Sequence, residues 1–227
     1  MYYSDKYNFI PLGIVDKKIT GCGISSAALE NQDPLILVVP TVALIKNKVA
    51  QYPNSRRTEA IFGLYADISI KELTTYLAET KVPKIMVTYD SFHKLINLIN
   101  KDYHIVVDEF SDLLDAYSYR NKAVNKLLAT LLEFDKVSFV SATPIDKEFL
   151  PNQLKELSYT ELIWDNTEKV TVEPYQTTKP IYAVLNIINR YKQDSLVIND
   201  IKSESAYFYV NSVTMIRDIL DKADLLN

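Results

Sequence analysis

Residues Tyr103-His104-Ile105-Val106-Val107-Asp108-Glu109-Phe110 carry the reading of the fold. A β-branched run, Ile105-Val106-Val107, stops abruptly at two adjacent carboxylates. An apolar run of this kind is the pattern of a strand buried on both faces of a parallel sheet. Open α/β sheets bind their ligands beyond the carboxyl ends of the strands, where Asp108 and Glu109 would sit. Two acids there can divide labour, one holding a hydrated metal ion and the other orienting or deprotonating a water. The same pair would also suit the acidic first turn of a following helix, where negative charge favours the macrodipole. The flanking sequence has to decide between them.

Upstream, residues 7–15 read as a strand interrupted by Pro11 and Gly13, followed by a glycine-bearing turn over 16–26 and a short helical stretch, 27–31. Residues 35–39 form a buried strand that stops at Pro40, and 42–51 have helical character. A polar loop spans 52–60, 61–65 is a further strand, and 70–79 carries helical spacing. Residues 84–88 are another strand, after which Ser91 is placed to cap a helix running to about residue 100. Downstream, Val124, Leu127, Leu128, Leu131 and Leu132 mark an amphipathic helix over 121–134. A strand at 136–140 ends in Ser141-Ala142-Thr143-Pro144. Strands alternating with helices at this spacing predict right-handed βαβ units: an α/β fold, a mostly parallel sheet sandwiched by helices.

The first domain is expected over 1–150 and a connector with strands at 160–164 and 169–175 over 151–178. Residues 179–227 form a second unit, with a helix at 180–191, a strand at 206–210 and a helix at 212–225. One or two βα units are too few for a full sheet, so the second domain is expected to be the start of a larger one.

Composition narrows the classes. With 48% hydrophobic and 24% charged residues the chain is an ordinary globular one. A net charge of −4 argues against a generally basic nucleic-acid binder, while leaving room for a local basic strip. The one cysteine, Cys22, cannot form an internal disulfide. No apolar run approaches the roughly 20 residues of a membrane span, so no membrane partner is expected. The first residues lack the layout of a secretory signal, and a cytoplasmic location is the default expectation. His93 and His104 have no metal-ligand spacing and are expected on a helix surface and at a strand edge. A dinucleotide-binding loop is disfavoured: Gly21-Cys22-Gly23 has no third glycine, and the second strand ends on Pro40-Thr41 instead of an acid.

Taken in order, several segments resemble the motif series of superfamily 2 helicases and translocases, the DEAD and DExH types. Thr20-Gly21-Cys22-Gly23-Ile24-Ser25 resembles their phosphate-binding loop, motif I. Pro40-Thr41 with Leu44 resembles motif Ia, and Thr88-Tyr89-Asp90-Ser91-Phe92 the motif Ib region. Asp108-Glu109-Phe110-Ser111 resembles motif II, the Walker B box, and Ser141-Ala142-Thr143-Pro144 motif III. Phe208-Tyr209-Val210-Asn211-Ser212 is similar to motif IV, the first strand of a second RecA-like domain. The resemblance implies a RecA-like P-loop NTPase that uses ATP and Mg2+. Its partners would be single-stranded or duplex nucleic acid, DNA before RNA, and the remainder of the second RecA-like domain in cis. The unusual loop suggests a phage or mobile-element relative.

The loop chemistry is compatible with this. Gly21 and Gly23 permit φ > 0 turns that aim backbone N–H groups at phosphate oxygens. The resemblance places Ser25 as a magnesium ligand together with Asp108, which would act through water, and Glu109 as the residue that orients the attacking water. Ser26 closes the nucleotide-binding stretch. Ser141 and Thr143 would couple the ATP site to the nucleic-acid face, and Pro40, Thr41, Thr88, Tyr89 and Asn211 would line the strand's path. The sequence departs from the family at one position: Ile24 stands where motif I has its lysine, and isoleucine cannot neutralise phosphate charge. Either Lys17 or Lys18, at the start of the loop, replaces it, or the loop binds nucleotide poorly and the chain is an inactive nucleic-acid-binding or scaffold module. After Ser212 the only arginine is Arg217, so the arginines that complete such ATP sites are expected to lie outside this sequence.

Overall fold

The computed structural model describes residues 2–52, 60–115, 117–143, 145–164, 176–193, 197–198, 201–202, 207–210 and 212–225. The chain divides into two compact units, Met1–Asn166 and Thr167–Asn227. The first is built in the order α1 (Tyr3–Lys6), β1 (Gly13–Asp16), α2 (Ile24–Glu30), β2 (Leu35–Val39), α3 (Val42–Gln51), β3 (Ile61–Leu64), α4 (Ile70–Glu79), β4 (Lys84–Thr88). It continues through β5 (His104–Asp108), α5 (Phe110–Asp115), α6 (Tyr117–Leu131), β6 (Val137–Ser141), α7 (Asn152–Lys155) and β7 (Tyr159–Glu161).

All seven strands are parallel, in the order β3-β4-β2-β5-β6-β1-β7. Residues β1, β2, β4 and β6 contribute are buried throughout, as expected of strands covered on both faces. Side chains alternate across a strand, and the core divides accordingly. Ile36, Val38, Ile105 and Val107 face one layer, with Leu73 of α4, Leu113 of α5 and Leu128 of α6. Leu37, Val39 and Val106 face the other, with Leu29 of α2 and Ile45 of α3. Because the strands are parallel and in register, Asp16, Val39, Thr88, Asp108 and Ser141 all end at one rim. β6 lies between β1 and β5, which places Ser141 between the start of the glycine loop and the two acids.

Local chemistry sets the boundaries. Thr41 accepts from the Leu44 amide at the start of α3, and Ser69 and Glu72 form a reciprocal capping box on α4. Gly13 opens β1 at φ +87°, where a Cβ would lie 2.4 Å from the Ser158 carbonyl oxygen, so only glycine fits there. β7 pairs with β1, so the sheet extends past the closure expected near residue 151.

Three expectations are corrected. The helix expected from Ser91 to about residue 100 is a 3-10 helix, Tyr89–Lys94, followed by turns. Phe92, Leu95 and Leu98 are linked by i→i+3 backbone bonds, and the Lys94 ammonium is held by the carbonyls of Tyr65, Ala66 and Ile68. Ser91 is itself buried and does not cap. His104 is no edge residue: it opens a central strand, and its Nε2 lies 2.8 Å from Ser138 Oγ. Residues 207–210, expected as a strand, carry none, and the strand expected at 169–175 lies outside the described residues.

The second unit contains α8 (Pro180–Lys192), a short antiparallel pair β8 (Val197–Ile198) and β9 (Ile201–Lys202), and α9 (Val213–Lys222). Its core is Ile188, Ile219 and Ala223 with partly buried neighbours. No described helix in either unit is long and apolar enough to cross a membrane.

Candidate active site

β1 runs into a loop that coils tightly, with Lys18, Gly21 and Gly23 all at positive φ (58°, 67° and 87°). Lys17 is pinned at both backbone ends. Its amide donates to the Ser141 carbonyl at 2.9 Å, and its own carbonyl accepts from the Ile19 amide and the Trp164 indole N–H. The side chain is 5% exposed, and its Nζ donates to Asp108 Oδ1 at 3.1 Å and Glu109 Oε1 at 2.7 Å. Burial alone would push the ammonium's pKa down; the two carboxylates more than reverse this, and it stands above its ordinary value. On the other side of Asp108, Ser25 Oγ donates to Oδ2 at 2.7 Å. Lysine, serine and two acids therefore meet beyond the strand ends.

Glu109 makes the turn from β5 into α5 at φ +50°, a conformation that costs a non-glycine residue about 1–2 kcal/mol. The turn is braced by Tyr89, whose hydroxyl lies 2.7 Å from the Asp108 carbonyl and 2.9 Å from the Glu109 carbonyl. Burial raises the phenol's pKa, and the nearby charges of Asp112, Asp108 and Glu109 raise it further, so Tyr89 stays a donor. Ser141 Oγ bonds Ser111 Oγ at 2.8 Å, accepts from the Thr143 amide at 3.0 Å and makes a long 3.5 Å contact with Glu109 Oε2. The end of β6 is thereby linked to the acid pair.

The remaining expected site residues separate into groups. Lys18 is turned away from the acids, and its Nζ pairs with Asp16 at 2.8 Å and Glu161 at 3.1 Å. Ile24 is 2% exposed, part of the core layer that holds α2. Cys22 is buried too, which raises its thiol pKa, and its carbonyl accepts from the Tyr3 amide. Thr20 and Gly21 are exposed on the loop, Gly23 stands at the start of α2, and Ser26 hydrogen-bonds Tyr52.

Pro40, Thr41, Thr88 and Tyr89 lie side by side at the ends of β2 and β4. Thr41 serves as a helix cap, Thr88 is buried, and the Tyr89 hydroxyl donates to the acid turn. Pro40 and Tyr89 border a cleft of about 250 Å³ with Phe92, His93 and Leu127. Pro144 and Asn211 lie outside the described residues.

Sequence reading missed Trp164, Tyr159 and Tyr3, which hold the loop from segments distant in the chain, and Asp16, which anchors its start. Trp164, the single tryptophan, carried a signal only by its rarity.

A DEAD box protein from the hyperthermophile Methanococcus jannaschii superposes on the chain with a TM-score of 0.50 at 20% identity, over 80% of this chain and 54% of that one. The fold is RecA-like. It is the fold class that the motif order implied. A DUF1998 helicase, MrfA, bound to DNA and AMPPNP, gives a TM-score of 0.47 at 13% identity, over 81% of this chain and 30% of that one. The chain thus spans about half the length of the DEAD box protein and less of the second. No protein-family model matches the sequence, and no curated protein matches it.

Proposed function

We propose that this RecA-like unit is the N-terminal motor portion of an ATP-dependent nucleic-acid helicase or translocase, and that Lys17 takes the place of the lysine missing at Ile24. The observation that carries the reading is the position of Lys17 Nζ between Asp108 and Glu109, with Ser25 on the far oxygen of Asp108. Ser25 and Asp108, side by side at 2.7 Å, suit magnesium, which binds through one or two protein groups and completes its shell with phosphates and water. Ser25 and Asp108 would hold it, Asp108 through water. When bound, it would neutralise charge on the transferring phosphoryl group.

Lys17, drawn from the acids towards the more highly charged phosphates, supplies the positive charge that phosphoryl transfer requires. Glu109, released from that ion pair, accepts a hydrogen bond from the attacking water. Tyr89 keeps the Glu109 turn fixed, and Ser141 relays changes at the acids to the rim that faces nucleic acid. DNA is preferred to RNA as the partner, and the arginines that complete the site come from the rest of a second RecA-like domain.

A thermal melt with magnesium and ATP tests this. Nucleotide at 100 times its Kd adds about 2.7 kcal/mol, a rise of roughly 5–10 °C in Tm for a domain of this size. No rise with ATP, ADP or AMPPNP would favour the second reading, an inactive nucleic-acid-binding or scaffold module. The burial of Ile24, which leaves no charge at that loop position, is the observation on its side.

A further inference from the structure

The residues just before the second unit grip the loop at three successive positions. Tyr159 donates its hydroxyl to Asp16 Oδ2 at 3.0 Å, and the Leu162 amide donates to the Asp16 carbonyl at 2.9 Å. Trp164 Nε1 donates to the Lys17 carbonyl at 2.8 Å. Glu161 pairs with Lys18 at 3.1 Å. Strand pairing of β7 with β1 accounts for the backbone alignment of Ile14, Val15 and Asp16 with Tyr159, Thr160 and Glu161. It does not account for an indole reaching past the strand end to Lys17, nor for the carboxylate on Lys18. Trp164 also packs, half-buried, against the core layer that contains Cys22 and Ile24, so the ring is held as well as its N–H.

We infer that residues 159–164 form a clasp on the phosphate-facing loop in which Trp164 is a positioning residue for Lys17, so that nucleotide binding is transmitted to the segment leading into the second unit. The inference rests on the proposed role of Lys17. The Lys17 carbonyl already takes two donors, from Ile19 and Trp164, across a tight turn centred on Lys18 at φ +58°. With the amide fixed to Ser141, the backbone of Lys17 has little freedom. When its side chain leaves Asp108 and Glu109 for phosphate oxygens, the strain passes to the 17–19 turn and from there to the indole. The second unit begins at Thr167, three residues after Trp164. The state of the nucleotide loop is thereby communicated along the chain towards it.

Trp164 is the only tryptophan beside 16 tyrosines, so excitation at the red edge of the indole band reads it alone. The full chain is titrated with Mg·AMPPNP, following Trp164 emission, with binding measured independently by calorimetry. A saturable change in emission, with a midpoint matching the calorimetric Kd, is the expected result. Trp164→Phe, which keeps most of the packing and removes the N–H, is expected to raise the calorimetric Kd about fivefold, the equivalent of one hydrogen bond. Calorimetric binding with silent emission overturns the clasp and leaves the nucleotide reading standing, as does an unchanged Kd in a folded Trp164→Phe chain. Absence of calorimetric binding in the unsubstituted chain overturns both.

Discussion

Lys84 offers a quantitative test of how the sheet was built around a buried charge. It opens β4 at 1% exposure, and its Nζ is held by the carbonyls of Ala28 and Asp33 and by Asn31 Oδ1, at the far end of the helix that begins at the glycine loop. Burial lowers its pKa from 10.5 to about 8, with Asp33 opposing the shift. The folded pKa lies below the unfolded one, so between pH 8 and 10.5 the unfolded chain binds more protons, and stability rises with pH through that window. Integrating that difference from pH 7 to pH 9 gives a gain of about 1.3 kcal/mol from this residue. Lys84→Met removes the titration while keeping the side chain's length. The rest of the sequence is common to both proteins, so the difference between the two pH profiles isolates Lys84. Urea unfolding at half-unit steps from pH 7 to 9 measures it through the midpoint at constant m. Parallel profiles for the two proteins would refute the argument.

Other perturbations bear on the same frame. His104 has its pKa lowered to about 4 by burial, helped by the positive charges of Lys136 and Lys84 and opposed by Asp33. The unfolded chain therefore takes up the proton first as pH falls from 6.5 to 4, and up to about 3 kcal/mol is lost over that range. His104→Gln should flatten this acid limb in urea melts, and an unaltered limb would contradict the assignment. Tyr89→Phe leaves the Asp108 and Glu109 carbonyls without their shared donor. It should cost about 1–2 kcal/mol in unfolding free energy and lower ATP turnover by loosening the Glu109 turn; no change in either would show that Tyr89 does not brace it.

Much of this molecule is legible in its sequence where local signals and burial agree. α3 and α4 begin and end where helical spacing places them, and the structure adds the caps at Thr41 and Ser69. The uninterrupted apolar runs identify β2, β4 and β5 because each strand is covered on both faces. The 3-10 helix after β4 was not legible, because the tertiary grip on Lys94 overrides a cap-and-period reading.

The glycine loop is legible in the sequence, but local pattern alone does not choose between Lys17 and Lys18. Strand alternation carries the distinction: Lys17 shares the parity of Val15, on the layer where α2 packs, while Lys18 shares that of Ile14. The Trp164 bond could not be read locally at all, since it joins residues 147 positions apart.

In the function proposed for this chain, Lys17, and not Lys18, supplies the charge missing at Ile24. Affinity for Mg·ATP, measured by calorimetry on Lys17→Ala and Lys18→Ala, tests it most directly. Loss of a charge-assisted hydrogen bond should weaken binding by about tenfold or more in Lys17→Ala, while Lys18→Ala, which loses only its pairs with Asp16 and Glu161, should stay close to the unsubstituted protein. Equal affinities in all three chains, or a loss confined to Lys18→Ala, would contradict the account.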